Sequence, residues 1–310
     1  MLTRRSFIKI VALTPFALQL EAKEVAHYTV EVRDLLMGSF VQIKGTGVER
    51  ETLLSAISYM KALESVLTRF DGTSGLSLLN SVGRLKNPHK ELTKVLYSAR
   101  DAYSETGGAF DVTVLPVLLH FETQRRPLTL EEQERFRALV GFDNVDFDAR
   151  GVALKKKGVK LTLDGIAKGY IIDRAVENLR DKGCVSVLVN VGGDIYCGKN
   201  GNGWDVGIYD PLQDTISRKL KLETTAVCTS GNYVNYYSED KKLHHIIDPR
   251  TLSSPPDVVS VTAVARTTAR ADTLSTALFV AGEEGKSFLR QGERAYFLFD
   301  SGQELELQGA

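Results

Sequence analysis

The chain has 310 residues, 39 basic against 39 acidic side chains, 43% hydrophobic residues and 8% aromatics. That length builds a sizeable core in one large or two modest domains, and the hydrophobic content excludes a disordered chain. Zero net charge lacks the basic excess of a general nucleic-acid or anionic-membrane binder, and three cysteines without a CxxC pair make neither a disulfide framework nor a zinc site.

Residues 1–22 read apart from the rest. Arg4 and Arg5 precede an apolar run over 10–20 that is too short to cross a bilayer, the pattern of an export signal. The stretch from Thr3 to Lys9 resembles the twin-arginine signal. Small residues near Ala22 suit cleavage, so the folded part is expected over 23–310, in the periplasm, touching the inner membrane only through the export signal. An N-terminal anchor is the alternative.

Along 27–44 apolar and polar residues alternate as in strands, ending at Phe40-Val41-Gln42-Ile43. Helical spacing follows over 51–67, through Leu53, Ile57, Met60, Leu63 and Leu67, and again over 91–106, stopped by Gly107-Gly108. Thr129 with Glu132 forms a capping box for a short helix through Leu139. A helix over 167–182 ends at Gly183, a buried strand over 184–191 turns at Gly192-Gly193, and GKNGNG before Trp204 reads as a hairpin turn. A last helix over 271–280 and a strand over 295–299 close the chain. Without a repeated βαβ period, the fold class expected is α+β: one domain of mixed or antiparallel sheets flanked by helices.

Chemistry concentrates in five segments. In Ala271-Asp272-Thr273-Leu274-Ser275-Thr276-Ala277, expected at a helix start, Asp272, Ser275 and Thr276 share one helical face. A carboxylate with two hydroxyls and no His or Cys is a hard-oxygen set suited to magnesium, or else hydroxyls bonding back to the backbone. Asp164-Gly165-Ile166-Ala167-Lys168-Gly169-Tyr170 opens a helix whose first amides could meet a phosphate, with Lys168 as a point charge; the plain alternative is a cap. In His244-His245-Ile246-Ile247-Asp248-Pro249-Arg250 a strand would turn the two histidines to opposite faces, leaving one for a site as general base. The alternative pairs Asp248 with Arg250. Thr106-Gly107-Gly108-Ala109-Phe110-Asp111 can bring backbone close to a flat ring, and Val189-Asn190-Val191-Gly192-Gly193-Asp194 ends a buried strand in two glycines.

Taken in order, Met37-Gly38-Ser39, Leu76-Ser77-Leu78-Leu79-Asn80, TGGAFDVTV from Thr106, DGIAKGYIID from Asp164, VNVGGDI from Val189, TSGNY from Thr229, HIIDPRT from His245 and ADTLSTA from Ala271 resemble the ApbE family of FAD:protein FMN transferases, over about 30–282. The resemblance implies a single domain that binds FAD as substrate with Mg2+ and moves FMN onto a Thr or Ser hydroxyl of an acceptor flavoprotein, releasing AMP. It implies that Asp272, Ser275, Thr276 and Gly165 hold the metal. It implies a flavin site of Met37, Phe70, Ala109, Phe110, Asp111, Thr162, Asp164, Lys168 and Ile246, with His245 beside the phosphates. Two other readings keep the same ligand: FAD storage without transfer, and Mg-dependent hydrolysis of the FAD pyrophosphate. The chain departs from the family at Phe70 (usually Tyr), Gly75 (Glu), Thr162 (Asp), Asp164 (Gly) and Asn232 (Asp). Asp164 either supplies the carboxylate that Thr162 lacks or crowds the site.

Overall fold

The computed structural model describes residues 29–148 and 150–310; the export signal expected over 1–22 lies outside them. Thirteen strands and seven α-helices are present among the described residues. An antiparallel hairpin, β1 (Thr29–Leu36) and β2 (Ser39–Thr46), leads into α1 (Arg50–Leu67), whose buried Leu53, Ile57, Met60, Leu63 and Leu67 carry the expected helical period. There follow α2 (Gly75–Val82), β3 (Arg84–Lys86), α3 (Lys90–Glu105), α4 (Leu115–Gln124), α5 (Leu130–Arg137), β4 (Val145–Asp148) and β5 (Gly151–Leu154). The second half comprises α6 (Ala167–Asp181), β6 (Ser186–Val191), β7 (Asp194–Cys197), β8 (Trp204–Asp210), β9 (Thr215–Leu222), β10 (Thr225–Gly231), β11 (Val258–Ala265), α7 (Thr268–Ala281), β12 (Arg294–Phe299) and β13 (Glu304–Gln308).

One eight-stranded sheet, in the order β1-β2-β6-β7-β10-β11-β12-β13, is antiparallel at every pairing. Its middle strands are covered on both faces, and their side chains divide by the two-residue period. Val187, Val189 and Val191 of β6 and Val261, Ala263 and Ala265 of β11 face the main core. Leu188, Val227 and Val264 face a second core against β8 and β9. Burial on both faces is why β6 reads as a continuous apolar run rather than an alternating one. Helix α6 lies against both α1 and α7, with α7 on β10 and β11.

Two expectations about elements are corrected. The GKNGNG stretch is not a hairpin turn: β7 pairs with β6 and β10, and β8 pairs with β9 in a separate sheet. The glycines instead carry the chain from the end of β7 to the separate β8–β9 sheet, where Trp204 Nε1 donates to the Gly198 carbonyl at 2.8 Å. The last helix begins at Thr268 rather than 271, so Asp272 sits more than a turn inside it. The α+β class with antiparallel sheets holds.

Candidate active site

Two helix N-termini meet at the centre of the molecule, and each is capped by an aspartate from the other. Asp173 of α6 accepts from the Thr268 and Ala269 amides at the start of α7, at 2.7 and 2.9 Å. Asp272 of α7 accepts from the Gly169 amide in the first turn of α6, at 3.1 Å. Carboxylates at helix N-termini satisfy amides that lack intrahelical partners and complement the positive dipole end. Close approach requires Gly169: a Cβ there would lie 2.5 Å from the Thr268 carbonyl oxygen. The start of α6 was expected to present open amides to a phosphate. It does so less than expected, because Ala167 N–H already donates to the Leu163 carbonyl and Gly169 N–H to Asp272.

Around Asp272 the donors are oxygens. Ser275 and Thr276 hydroxyls both donate to the Asp272 carbonyl (3.0 and 3.2 Å), and Ser230 Oγ lies 2.8 Å from Ser275 Oγ and 3.2 Å from Thr276 Oγ1. Back-bonding of the hydroxyls and their clustering beside the carboxylate are thus both present. Gly165 faces this group: a Cβ on it would stand 3.1 Å from Thr276 Oγ1 and 3.2 Å from the Phe110 ring. Lys168 Nζ pairs with Asp194 at 2.7 Å. Burial alone would pull that ammonium down, but the Asp194 and Asp272 carboxylates hold it above its ordinary range. Burial, then the Asp194 charge, raises Asp272, against Lys168 and the Gly169 amide. Buried carboxylate charge with hydroxyl and carbonyl oxygens and no nitrogen or sulfur ligand fits a hard divalent cation that keeps waters or phosphate oxygens in its remaining positions.

His244 and His245 part as expected. His244 is fully buried, with Nε2 3.0 Å from the Pro255 carbonyl and Nδ1 accepting from the Ile246 amide at 3.3 Å. Both nitrogens are engaged, and burial pushes this imidazole down to about 4. His245 is half-buried, with Nδ1 3.0 Å from the Asn235 carbonyl. A carbonyl only accepts, so Nδ1 carries the proton and Nε2 keeps its lone pair. Burial lowers the His245 pKa, partly offset by the Asn235 carbonyl and by the charge of Asp164, while the Lys168 and Arg69 charges lower it further. Asp248 and Arg250 pair with each other at 3.0 Å.

Ala109 and Phe110 are buried beyond Gly107 and Gly108, both at positive φ. Asp111 caps the next turn through Thr113, and burial lifts its carboxyl to about 6. Met37 adopts a left-handed φ of 49° with its amide on Glu64 at 2.9 Å. Thr162 accepts from the Asp164 amide at 3.2 Å, and Ile246 is buried in the main core. Phe70 is 76% exposed. Asp164 does not join the Asp272 group as a replacement carboxylate; it pairs with Arg69 at 2.7 Å. Arg69, Asp173, Asp194 and Ser230 were not singled out from the sequence. Asp194 carried a signal as a carboxylate closing a buried strand's glycine turn, and Asp173 and Ser230 fell inside the stretches DGIAKGYIID and TSGNY without a role of their own.

The ApbE family matches residues 37–298. A Haemophilus influenzae protein named FAD:protein FMN transferase is 29% identical over 306 residues, covering 90% of this chain and 88% of that one. An Escherichia coli K12 protein of the same name is 31% identical over 212 residues, covering 63% and 60%. Among solved structures, the ApbE protein of Thermotoga maritima superposes with a TM-score of 0.82 at 29% identity, covering 90% of this chain and 97% of that one. The flavin transferase ApbE of Vibrio cholerae gives 0.78 at 25%, covering 91% and 97%. With a family match over most of its length, the chain belongs to the ApbE family and is a transferase.

Proposed function

We propose that the chain is a magnesium-dependent FAD:protein FMN transferase that moves FMN from FAD to a Thr or Ser hydroxyl of an exported acceptor flavoprotein and releases AMP. Asp272, with the Ser275 and Thr276 hydroxyls and the Gly165 carbonyl, would hold Mg2+, which neutralises charge on the pyrophosphate when bound. Lys168 adds a cation on the same side. The acceptor oxygen forms a bond to the phosphorus of the FMN half while the bridging P–O bond breaks, AMP leaves with that oxygen, and the hydroxyl proton passes to His245 Nε2. Phe70 offers an exposed apolar face to the flavin. The export signal of residues 1–22 would place this reaction in the periplasm.

The observation that carries this reading is the oxygen cluster at Asp272: the Ser275 and Thr276 hydroxyls share its helix face, with Ser230 Oγ against both and Gly165 packed on Thr276. Removing the carboxylate tests it. Asp272→Ala should lower AMP release from FAD by about 100-fold or more, the scale of losing a charge-stabilising group in a transfer site. Undiminished release in that variant would refute the assignment.

A further inference from the structure

Arg69 lies in the turn between α1 and α2, and its guanidinium is only about one-tenth exposed. Three of its nitrogens are engaged. Nε donates to Asp164 at 2.7 Å, while NH2 and NH1 donate to Glu122 at 2.6 and 3.4 Å. Those two carboxylates belong to separate segments, Glu122 to α4 and Asp164 to the turn before α6. One side chain therefore ties three pieces of the chain together, one of them the turn that carries Gly165. An arginine fork fixed at both ends has one orientation, unlike a lysine ammonium.

That fixed plane has a neighbour. The Arg69 guanidinium carbon stands 4.2 Å from the centroid of the Phe70 ring, within cation–π distance. Phe70 is 76% exposed and has no core packing to set its rotamer. Its amide is fixed by Thr68 Oγ1 at 3.2 Å, which anchors the backbone but leaves the ring free to turn. The guanidinium is the group that holds it.

We propose that Arg69, braced by Asp164 and Glu122, is a positioning residue that presets the Phe70 ring as a shelf for the planar flavin ring of FAD. This rests on the flavin reading of the site given above. A ring ordered before binding loses less rotamer freedom on stacking, so the brace acts on affinity and leaves the phosphate chemistry alone. Asp164 thereby acquires a use at the binding step, as the partner that keeps the guanidinium flat.

The test is a titration of FAD fluorescence quenching with the full chain and with Arg69→Lys, Asp164→Asn, Glu122→Gln, Phe70→Ala and the Arg69→Lys/Phe70→Ala double variant, with AMP release at saturating FAD measured alongside. Arg69→Lys and Asp164→Asn should weaken FAD about three- to tenfold, the fold-change equivalent of a partly exposed cation–π contact. Turnover at saturation in Glu122→Gln, which leaves the charges that act on His245 in place, should stay within about twofold, since the loss is in ground-state binding. In the Phe70→Ala background the Arg69 change should have no further effect. Glu122→Gln, which leaves Arg69 and Asp164 in place, should show the same direction and guards against misfolding of the arginine variants. Additive losses, or unchanged affinity in variants of a wild type that binds FAD, overturn the brace alone. A wild type that does not bind FAD overturns the flavin reading and the brace with it.

Discussion

At the scale of single residues, His245 and its neighbour show how one imidazole is kept available while another is buried for structure. His244 has both nitrogens satisfied inside the protein, whereas His245 has one nitrogen fixed and one open. His245→Gln should slow transfer by about 100- to 10,000-fold, the usual worth of a positioned general base. Because the His245 pKa lies below its ordinary 6.5, the base is already neutral near pH 7. The rate should therefore hold as pH falls through 6.5 and drop only on further acidification; a rate–pH profile checks this, and a decline centred above 6.5 would contradict it. His244 carries a separate prediction for stability. Its folded value of about 4 lies below the unfolded 6.5, so the unfolded chain binds the proton more readily. Stability should be intact above pH 6.5 and fall by about 3 kcal/mol between 6.5 and 4, read from urea midpoints across that window.

At the scale of elements, the site is built where α6 and α7 start together. Gly169→Ala should destabilise by about 2 kcal/mol or more, because its Cβ would meet the Thr268 carbonyl, a backbone atom with little freedom to retreat. Equilibrium unfolding measures it; a neutral effect would mean the helices can separate at no cost. The sequence showed α1, α3, α5 and α6 through periodicity and caps, and it grouped Asp272, Ser275 and Thr276 because helical spacing alone puts them on one face. It did not show α4, whose run from Leu115 to Leu119 is apolar on every side and so has no period to read. It missed β10 and β11 for the same reason: strands covered on both faces do not alternate. The roles of Arg69 and Asp173 were invisible because their partners are 53 or more residues away, and only the fold brings them together. GKNGNG misled because a glycine-rich turn between two strands looks alike whether the strands pair or part.

At the scale of the whole molecule, balanced surface charge is consistent with holding an anionic dinucleotide through a few buried groups. Lys168 is paired with Asp194, while burial and the Asp194 charge raise the Asp272 carboxyl, so a divalent cation beside Asp272 would favour its ionised form. Magnesium should accordingly raise the unfolding free energy of the wild type, by about 2.7 kcal/mol at a hundredfold excess over its Kd. Asp272→Asn should lose most of that gain; thermal melts with and without Mg2+ test it, and equal gains in both proteins would contradict the site. The chain without residues 1–22, incubated with FAD, Mg2+ and a candidate acceptor flavoprotein, should yield acceptor heavier by one FMN moiety on intact-mass spectrometry, the added mass on a Thr or Ser and AMP in equal amount. FMN found free in solution with the acceptor unmodified, or FAD bound and unchanged, would contradict transfer and leave hydrolysis or storage in its place.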